Sequence, residues 1–367
     1  MRPALWVIIS VSLLFSSGLL MVFNTTSAEI IDRSLDTNIH AALLKQVFSG
    51  CLGISLGILV YKVGYQFWLK WSVPLLILGS ILLILVFVPG IGQKVNGANR
   101  WLRIFGFSFQ PSEYIKILIP AAYIRWYLER ETAISFLPFL KTLAWLFIPI
   151  SLILFEPDNG TAALIFLLLA TLFFLTRIRL SYWAFPLLVL LAGGMTAAYH
   201  MPHTSARIKI YLHPELDLRG KGHQPHQAKI AAGSGQVWGR GLGESLQKLN
   251  YLPEARSDYI AAIYAEETGF VGMVLLVALY SMLAYGGFVI AIRSPDRGAF
   301  LLAAILTFLI SIQAFLNLGV VSGLLPSKGM NLPFFSQGGT SLIFNWIVLF
   351  ILLDIANKSK LEAEYEA

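Results

Sequence analysis

Charge is scarce in this chain. Only 13% of its 367 residues are Asp, Glu, Lys or Arg, about half the ~25% of an ordinary soluble domain. That shortage excludes a typical soluble globular protein before any motif is read. Cysteine is almost missing. The single thiol, Cys51, sits in an apolar run, so no disulfide can form within the chain and dithiol redox chemistry is excluded. A nucleotide-binding loop is missing too. Five glycines fall between Gly233 and Gly243, but no strand precedes them and no Gly-Lys-Ser/Thr closes them, so neither a P-loop nor a Rossmann turn is present. A close-packed loop that dips partly into the membrane fits them better. No arginine-rich low-complexity tail points to RNA or DNA. The formal charge of +7 suits anionic headgroups or an anionic substrate.

What the chain has is hydrophobicity, 57% of all residues. A hydrocarbon core takes about 20 apolar residues per helix. By that measure ten spans are expected, near 4–23, 43–61, 71–90, 112–127, 138–155, 160–176, 181–199, 260–291, 299–318 and 339–357. The first is too long for a signal-peptide core and lacks a small-residue cleavage site, so it reads as a retained span. With the N-terminus in the cytoplasm, twelve of the 27 Lys and Arg fall in cytoplasmic segments and seven in short outer connections. The other eight lie in the loop 200–259, and long loops cross largely regardless of charge. The fold class expected is therefore all-α: a polytopic membrane protein of about ten helices with both termini cytoplasmic. Residues 1–367 form one domain, with 200–259 as a large extracytoplasmic loop inside it.

This orientation puts the informative loops on one face. Cytoplasmic connections such as "RSPDRG" are short and bland, whereas the outer ones carry acids, bases, Gly and Pro. Asp258 stands where the long loop meets a helix, as a helix-cap acid or as a general base. Glu254 and Arg256 precede it, and Glu266 and Glu267 follow within the same helix. Carboxylates at membrane depth cost about 2.5–3.5 kcal/mol each and default to a functional reading. Glu113 and Lys116, three apart on one helix face, form an ion pair or present a cation to an anionic headgroup. Asp158 in "EPDNGTAA" caps the next helix or touches substrate. Lys328 lies between two prolines in "LPSKGMNLPFFSQGGTS", a pattern of broken helices that line sites at membrane depth.

In order along nearly the whole chain, four segments resemble the SEDS family, the shape, elongation, division and sporulation proteins of bacteria. They are "NGANRWLRIFGFSFQPSEYIK", "EPDNGTA", "GSGQVWGRGLGESLQKLNYLPEARSDYIAAIYAEETGFVG" and "GLLPSKGMNLPFFSQGGTS". "PGIGQKVNGANRW" and "LLPSKG" are closer to the division member than to the elongation member. Arg256-Ser257 and Gln337 depart from the family pattern. The resemblance implies an inverting peptidoglycan glycosyltransferase that polymerises lipid II at the septum of the bacterial inner membrane. It implies a class B penicillin-binding protein and divisome membrane proteins as partners, and Mg²⁺ or Mn²⁺ as a cofactor, for which the residues themselves show no site. Asp258 matches the family's essential acid. Arg100, Lys116 and Lys328 are expected to stabilise the departing pyrophosphate, and Glu113 and Glu267 to orient them or a metal. Trp101, Gln110, Asp158, Glu254, Arg256 and Ser336 complete the expected substrate contacts. Two other readings remain, a lipid II flippase and a scaffold that activates the transpeptidase. The crowding of polar groups on one face favours an enzyme.

Overall fold

The computed structural model describes residues 3–32, 39–95, 98–104, 107–130, 134–184, 186, 188, 222–249, 252, 255–326 and 329–365. Its helices are α1 (Pro3–Asp32), α2 (Ala41–Val63), α3 (Tyr65–Leu85), α4 (Pro111–Leu128), α5 (Phe136–Phe155) and α6 (Asn159–Leu175). After them come α7 (His223–Ser234), α8 (Ile260–Ile292), α9 (Arg297–Val321) and α10 (Gly339–Tyr365). Seven of these are long and apolar enough to cross a membrane, while α4 and α6 are shorter or more charged. The span expected at 181–199 lies almost wholly outside the described residues.

Several boundaries and two connections differ from the sequence reading: the first helix runs on to Asp32, the third ends at Leu85, and the expected long loop contains α7. The third helix starts at Tyr65, not near 71, because Gly64 turns the chain sharply at φ 90° between α2 and α3. The last helix runs on to Tyr365. The connection read as a loop before α4 holds a three-stranded antiparallel sheet, β1 (Gly92–Val95), β2 (Ala98–Ile104) and β3 (Phe107–Phe109), paired in that order. Val95 pairs with Ala98, so the two residues between them are Asn96-Gly97, the strongest short-range hairpin signal a sequence carries.

Packing sets the layers. The most apolar stretches of α9 and α10 are 67% and 72% buried, against 22% for α3. Thus α9 and α10, with the equally enclosed α4, form the centre, and α3 lies on the rim. Rim side chains such as Leu20, Phe155, Phe174 and Ile292 are more than two-thirds exposed, which suits contact with lipid and would be costly in water. Against α2, small residues let helices approach closely: Gly50 faces the Phe15 ring, and Gly53 and Gly57 face Trp346 and Phe350 of α10.

The connections assigned to the cytoplasm gather at one end. Tyr65 N donates to Asp354 Oδ2 (2.8 Å), Lys358 pairs with Asp354 (3.2 Å), the Tyr65 hydroxyl donates to Asp296, and Arg297 stacks over Tyr127. At the other end, Gln46 Nε2 donates to Ser336 O (2.9 Å) and Thr340 Oγ1 to Ser108 O (3.1 Å). The two-sided arrangement read from charge therefore exists as two distinct polar ends.

Near the outer end α8 is broken at Gly269, with φ 66° and ψ −163°. The break strands backbone groups that a membrane protein must satisfy internally. The glycine-rich segment after α7 satisfies them. Phe270 N and Val271 N donate to Gln236 O and Val237 O, while Glu266 O and Glu267 O accept from Arg240 N and Gly241 N. The backbone at 269 is a region open essentially to glycine alone, and a Cβ there would lie 2.3 Å from Gly239 N. Gly269→Ala should therefore cost about 1–3 kcal/mol from the backbone strain, before any clash. A thermal melt of the detergent-purified protein reads this as a drop of several degrees. An unchanged melt would mean that the break is not under strain.

Candidate functional site

The outer end is assembled around α9. Within that apolar helix, Gln313 and Asn317 are buried and one turn apart. Asn317 Nδ2 donates to Asp258 O (2.8 Å) and to Met330 O (2.7 Å). Gln313 Nε2 donates to Asn331 O (3.1 Å), and its Oε1 accepts from Lys116 Nζ (3.1 Å). Lys116 in turn lies 2.5 Å from Glu113 Oε2. A polar chain thus runs from Glu113 and Lys116 on α4, through α9, to the segment 329–331 and Asp258.

Asp258 occupies the turn 255–259 ahead of α8 and is half-buried. Its Oδ2 would lie 2.9 Å from a Cβ added at Gly329, so the carboxylate rests on the 329 backbone. Any side chain at 329 would push it away. Arg256 is exposed, and its carbonyl accepts from Gln337 N (3.0 Å).

A second group lies on the other side of Met330. Asp158 caps α6, accepting at Oδ1 from Thr161 N (3.2 Å) and at Oδ2 from Thr161 Oγ1 (2.9 Å) and Gln110 Nε2 (3.4 Å). The Cβ position of Gly160 is 3.8 Å from both Asp158 Oδ1 and Met330 Sδ, so the two groups meet there. Arg100 Nε and Nη2 donate to Glu156 O (3.0 Å) and Pro157 O (2.7 Å). The guanidinium therefore ties β2 to the end of α5, and its remaining donors stay usable.

The third group departs from expectation. Glu267 does not join Lys116 or Arg100. Its Oε1 takes Lys248 Nζ (2.8 Å) and its Oε2 takes Asn24 Nδ2 (2.5 Å). Glu266 accepts from the Ser234 and Ser245 hydroxyls and from Leu246 N and Gln247 N. Both acids hold the outer loop to the broken helix, and Glu267 also holds α1. Ser336 holds backbone as well: its Oγ accepts from Leu332 N (2.8 Å). Trp101 sits half-buried on β2 opposite Gln93. Lys116, expected to face a headgroup, is 1% exposed and held by Glu113 and Gln313. Glu254 and Lys328 lie outside the described residues.

Sequence reasoning missed Gln313, Asn317 and Glu156. The first two had a signal, buried-type amides one turn apart inside an apolar span. Glu156 is fully buried, and neither carboxylate oxygen has a hydrogen-bond partner among the described residues. Burial first, and then the neighbouring Asp158 charge, push it up to about 8, with Arg100 pulling the other way.

Among the described residues no three His, Cys, Asp or Glu side chains converge, so they form no closed metal cage. A hydrated Mg²⁺ that takes its other ligands from substrate phosphates needs only one or two carboxylates, and Asp158 and Asp258 are the residues that would offer them here.

The comparisons with known proteins agree with this architecture. A family model described as "Cell cycle protein", covering FtsW, RodA and SpoVE, matches residues 4–361. The chain is 37% identical to a probable peptidoglycan glycosyltransferase FtsW of Trichlorobacter lovleyi, over 95% of this chain and 91% of that one. It is 35% identical to stage V sporulation protein E of Bacillus subtilis, over 98% of each. Among solved structures it superposes on a chain of a peptidoglycan synthase complex with TM-score 0.73 and 25% identity, over 95% of this chain and 97% of that one. On the rod shape determining protein RodA of Thermus thermophilus the TM-score is 0.70 at 24% identity, over 96% of each chain.

Glu156 generates a pH test. The folded state holds its proton up to about pH 8, whereas the unfolded chain releases it near 4.5. Between those values the unfolded state binds fewer protons, so this group makes stability fall as pH rises. Glu156→Gln should flatten that part of a melting-temperature profile measured from about pH 5 to about pH 9, and should stabilise the protein at the alkaline end. Superimposable profiles for the two proteins would show that the carboxyl is already ionised at neutral pH.

Proposed function

The chain belongs to the FtsW, RodA and SpoVE family of cell cycle proteins, and from that premise we propose that it polymerises lipid II with Asp258 as its base. It is a peptidoglycan glycosyltransferase of the division type, a multi-pass protein of the bacterial inner membrane acting at the septum. The observation that carries the assignment to Asp258 is its placement. The carboxylate rests on Gly329 in a half-buried turn at the outer end, the position from which a base would serve a sugar anchored in the outer leaflet.

The reaction balances as follows. The 4-hydroxyl of one lipid II sugar attacks C1 of the sugar at the end of the growing chain. The new C–O bond forms opposite the bond to phosphate, so the configuration at C1 inverts. The electrons of the broken bond leave with undecaprenyl pyrophosphate, and the hydroxyl proton passes to Asp258. The leaving group is anionic, so it needs positive charge more than a proton. Lys116 supplies a fixed charge behind the site, locked by Glu113 and Gln313. Arg100 supplies its free donors beside Asp158, and Lys328 is adjacent in sequence to Gly329. A divalent ion carried in by the pyrophosphate would add charge neutralisation, with Asp158 or Asp258 as its protein ligand. Lipid tails then lie along the exposed apolar rim of the helices.

The partner we assign is a class B penicillin-binding protein, which would crosslink the strand as it emerges, among other divisome membrane proteins. The similarity to a chain of a peptidoglycan synthase complex supports it.

Purified lipid II tests the reading. Wild type with its transpeptidase should make glycan polymer. Asp258→Asn should lose at least ~100-fold in rate, as general-base removal does, with an unchanged melting temperature. Full activity in the variant removes Asp258 from the chemistry. Headgroup movement across liposomes without polymer from the wild type would favour a flippase instead.

A further inference from the structure

At the cytoplasmic end, opposite the site, a cavity of about 530 Å³ lies between α3, α4 and α5. Arg125, Arg130 and Lys141 converge on it, with Glu129 as the one acid and Trp126 and Trp145 as its aromatic walls. Glu129 is taken by Arg125, at 2.7 Å. Arg130 and Lys141 make no ion pair among the described residues. The Arg130 guanidinium carbon lies over the Trp126 ring, 4.5 Å from its centre, a contact that holds the cation in place and leaves its N–H groups for an acceptor.

The bias of Lys and Arg towards cytoplasmic connections explains why cations occur at this end. It does not explain a cavity around which two of them converge with no ion pair of their own among the described residues. Below the cations the walls turn apolar, with Val73 on α3 and Ala122 on α4. One turn beyond Val73 on α3 and Trp145 on α5, Ile77 and Ile148 are 52% and 54% exposed. A polar mouth therefore leads into an open apolar track.

We propose that this cavity binds the headgroup of an anionic glycerophospholipid from the cytoplasmic leaflet. The phosphate meets Arg130 and Lys141, and an acyl chain runs along Ile77 and Ile148. The charge decides the class: the two uncompensated cations favour a lipid of net negative charge over a zwitterionic one, which brings its own ammonium.

Native mass spectrometry of the full-length protein tests this, with equal amounts of phosphatidylglycerol and phosphatidylcholine of identical chains. Wild type should retain the anionic lipid with at least about tenfold preference. In the Arg130→Gln/Lys141→Gln double variant the preference should fall to about twofold. Both side chains are exposed, so the fold should survive, and a melt in phosphatidylcholine alone checks that. The control is Lys62→Gln/Lys70→Gln, which removes two exposed cations at the same end but outside the cavity and should keep the preference. Equal loss in the control would reduce the effect to general surface charge and overturn the site. Complete displacement by millimolar inorganic pyrophosphate would also overturn it, by assigning the cations to a soluble phosphate.

Discussion

A charge buried among membrane helices needs its partner close by, because no water is there to replace it. This condition governs the whole outer half of the molecule. Lys116 is almost fully buried, with Glu113 2.5 Å away and Gln313 accepting a further hydrogen bond. Glu267 meets the same condition through Lys248 and Asn24. A buried pair of this kind is weak support for stability, since desolvation consumes much of the attraction, but breaking it by removing one partner is expensive. The pairs therefore fix geometry. They tie α4 to α9 and the outer loop to α1 and α8, and the catalytic loops hang from those ties.

The same condition explains how an irregular backbone exists at this depth. The break at Gly269 frees donors at 270 and 271 and acceptors at 266 and 267, and the glycine-rich segment 236–241 meets each of them. Gly239 and Gly241, both at positive φ, belong to that match. Of the glycines that resemble a phosphate cradle, Gly235 and Gly239 have another backbone where a Cβ would stand, 2.1 Å from Ala265 O and 2.1 Å from Glu267 O.

Much of this was legible in the sequence, and the exceptions have physical causes. Helices such as α5, α9 and α10 follow from uninterrupted apolar length. The two polar ends follow from the placement of Lys and Arg. The hairpin at 92–104 was legible and passed over: Asn96-Gly97 announced it, but the apolar context masked the signal. The partners of Glu267 were not legible for a different reason. An acid at membrane depth reads as functional by default, and nothing local contradicts that, because its partners stand 19 and 243 residues away. Asn317 is the reverse case, a buried amide in an apolar run whose targets, Asp258 and Met330, lie 59 and 13 residues off. Pattern along the chain shows that a polar group is there; only the packing of distant segments shows what it holds.

Asp258 draws these strands together. A base must be reachable by a hydroxyl from water and yet held still enough to meet it at hydrogen-bond distance. A flexible loop gives the first and a packed helix the second. Here the carboxylate projects from a half-buried turn while its own carbonyl is gripped by Asn317 on α9, one of the most enclosed helices. The floor beneath the carboxylate, Gly329, belongs to a segment gripped at Met330 by that same amide. One side chain thus sets both the position of the base and the surface it rests on, and Gln313, one turn away, links that surface to the Lys116 charge. The proposed base and the Lys116 charge are thereby tied to one another through a single helix face.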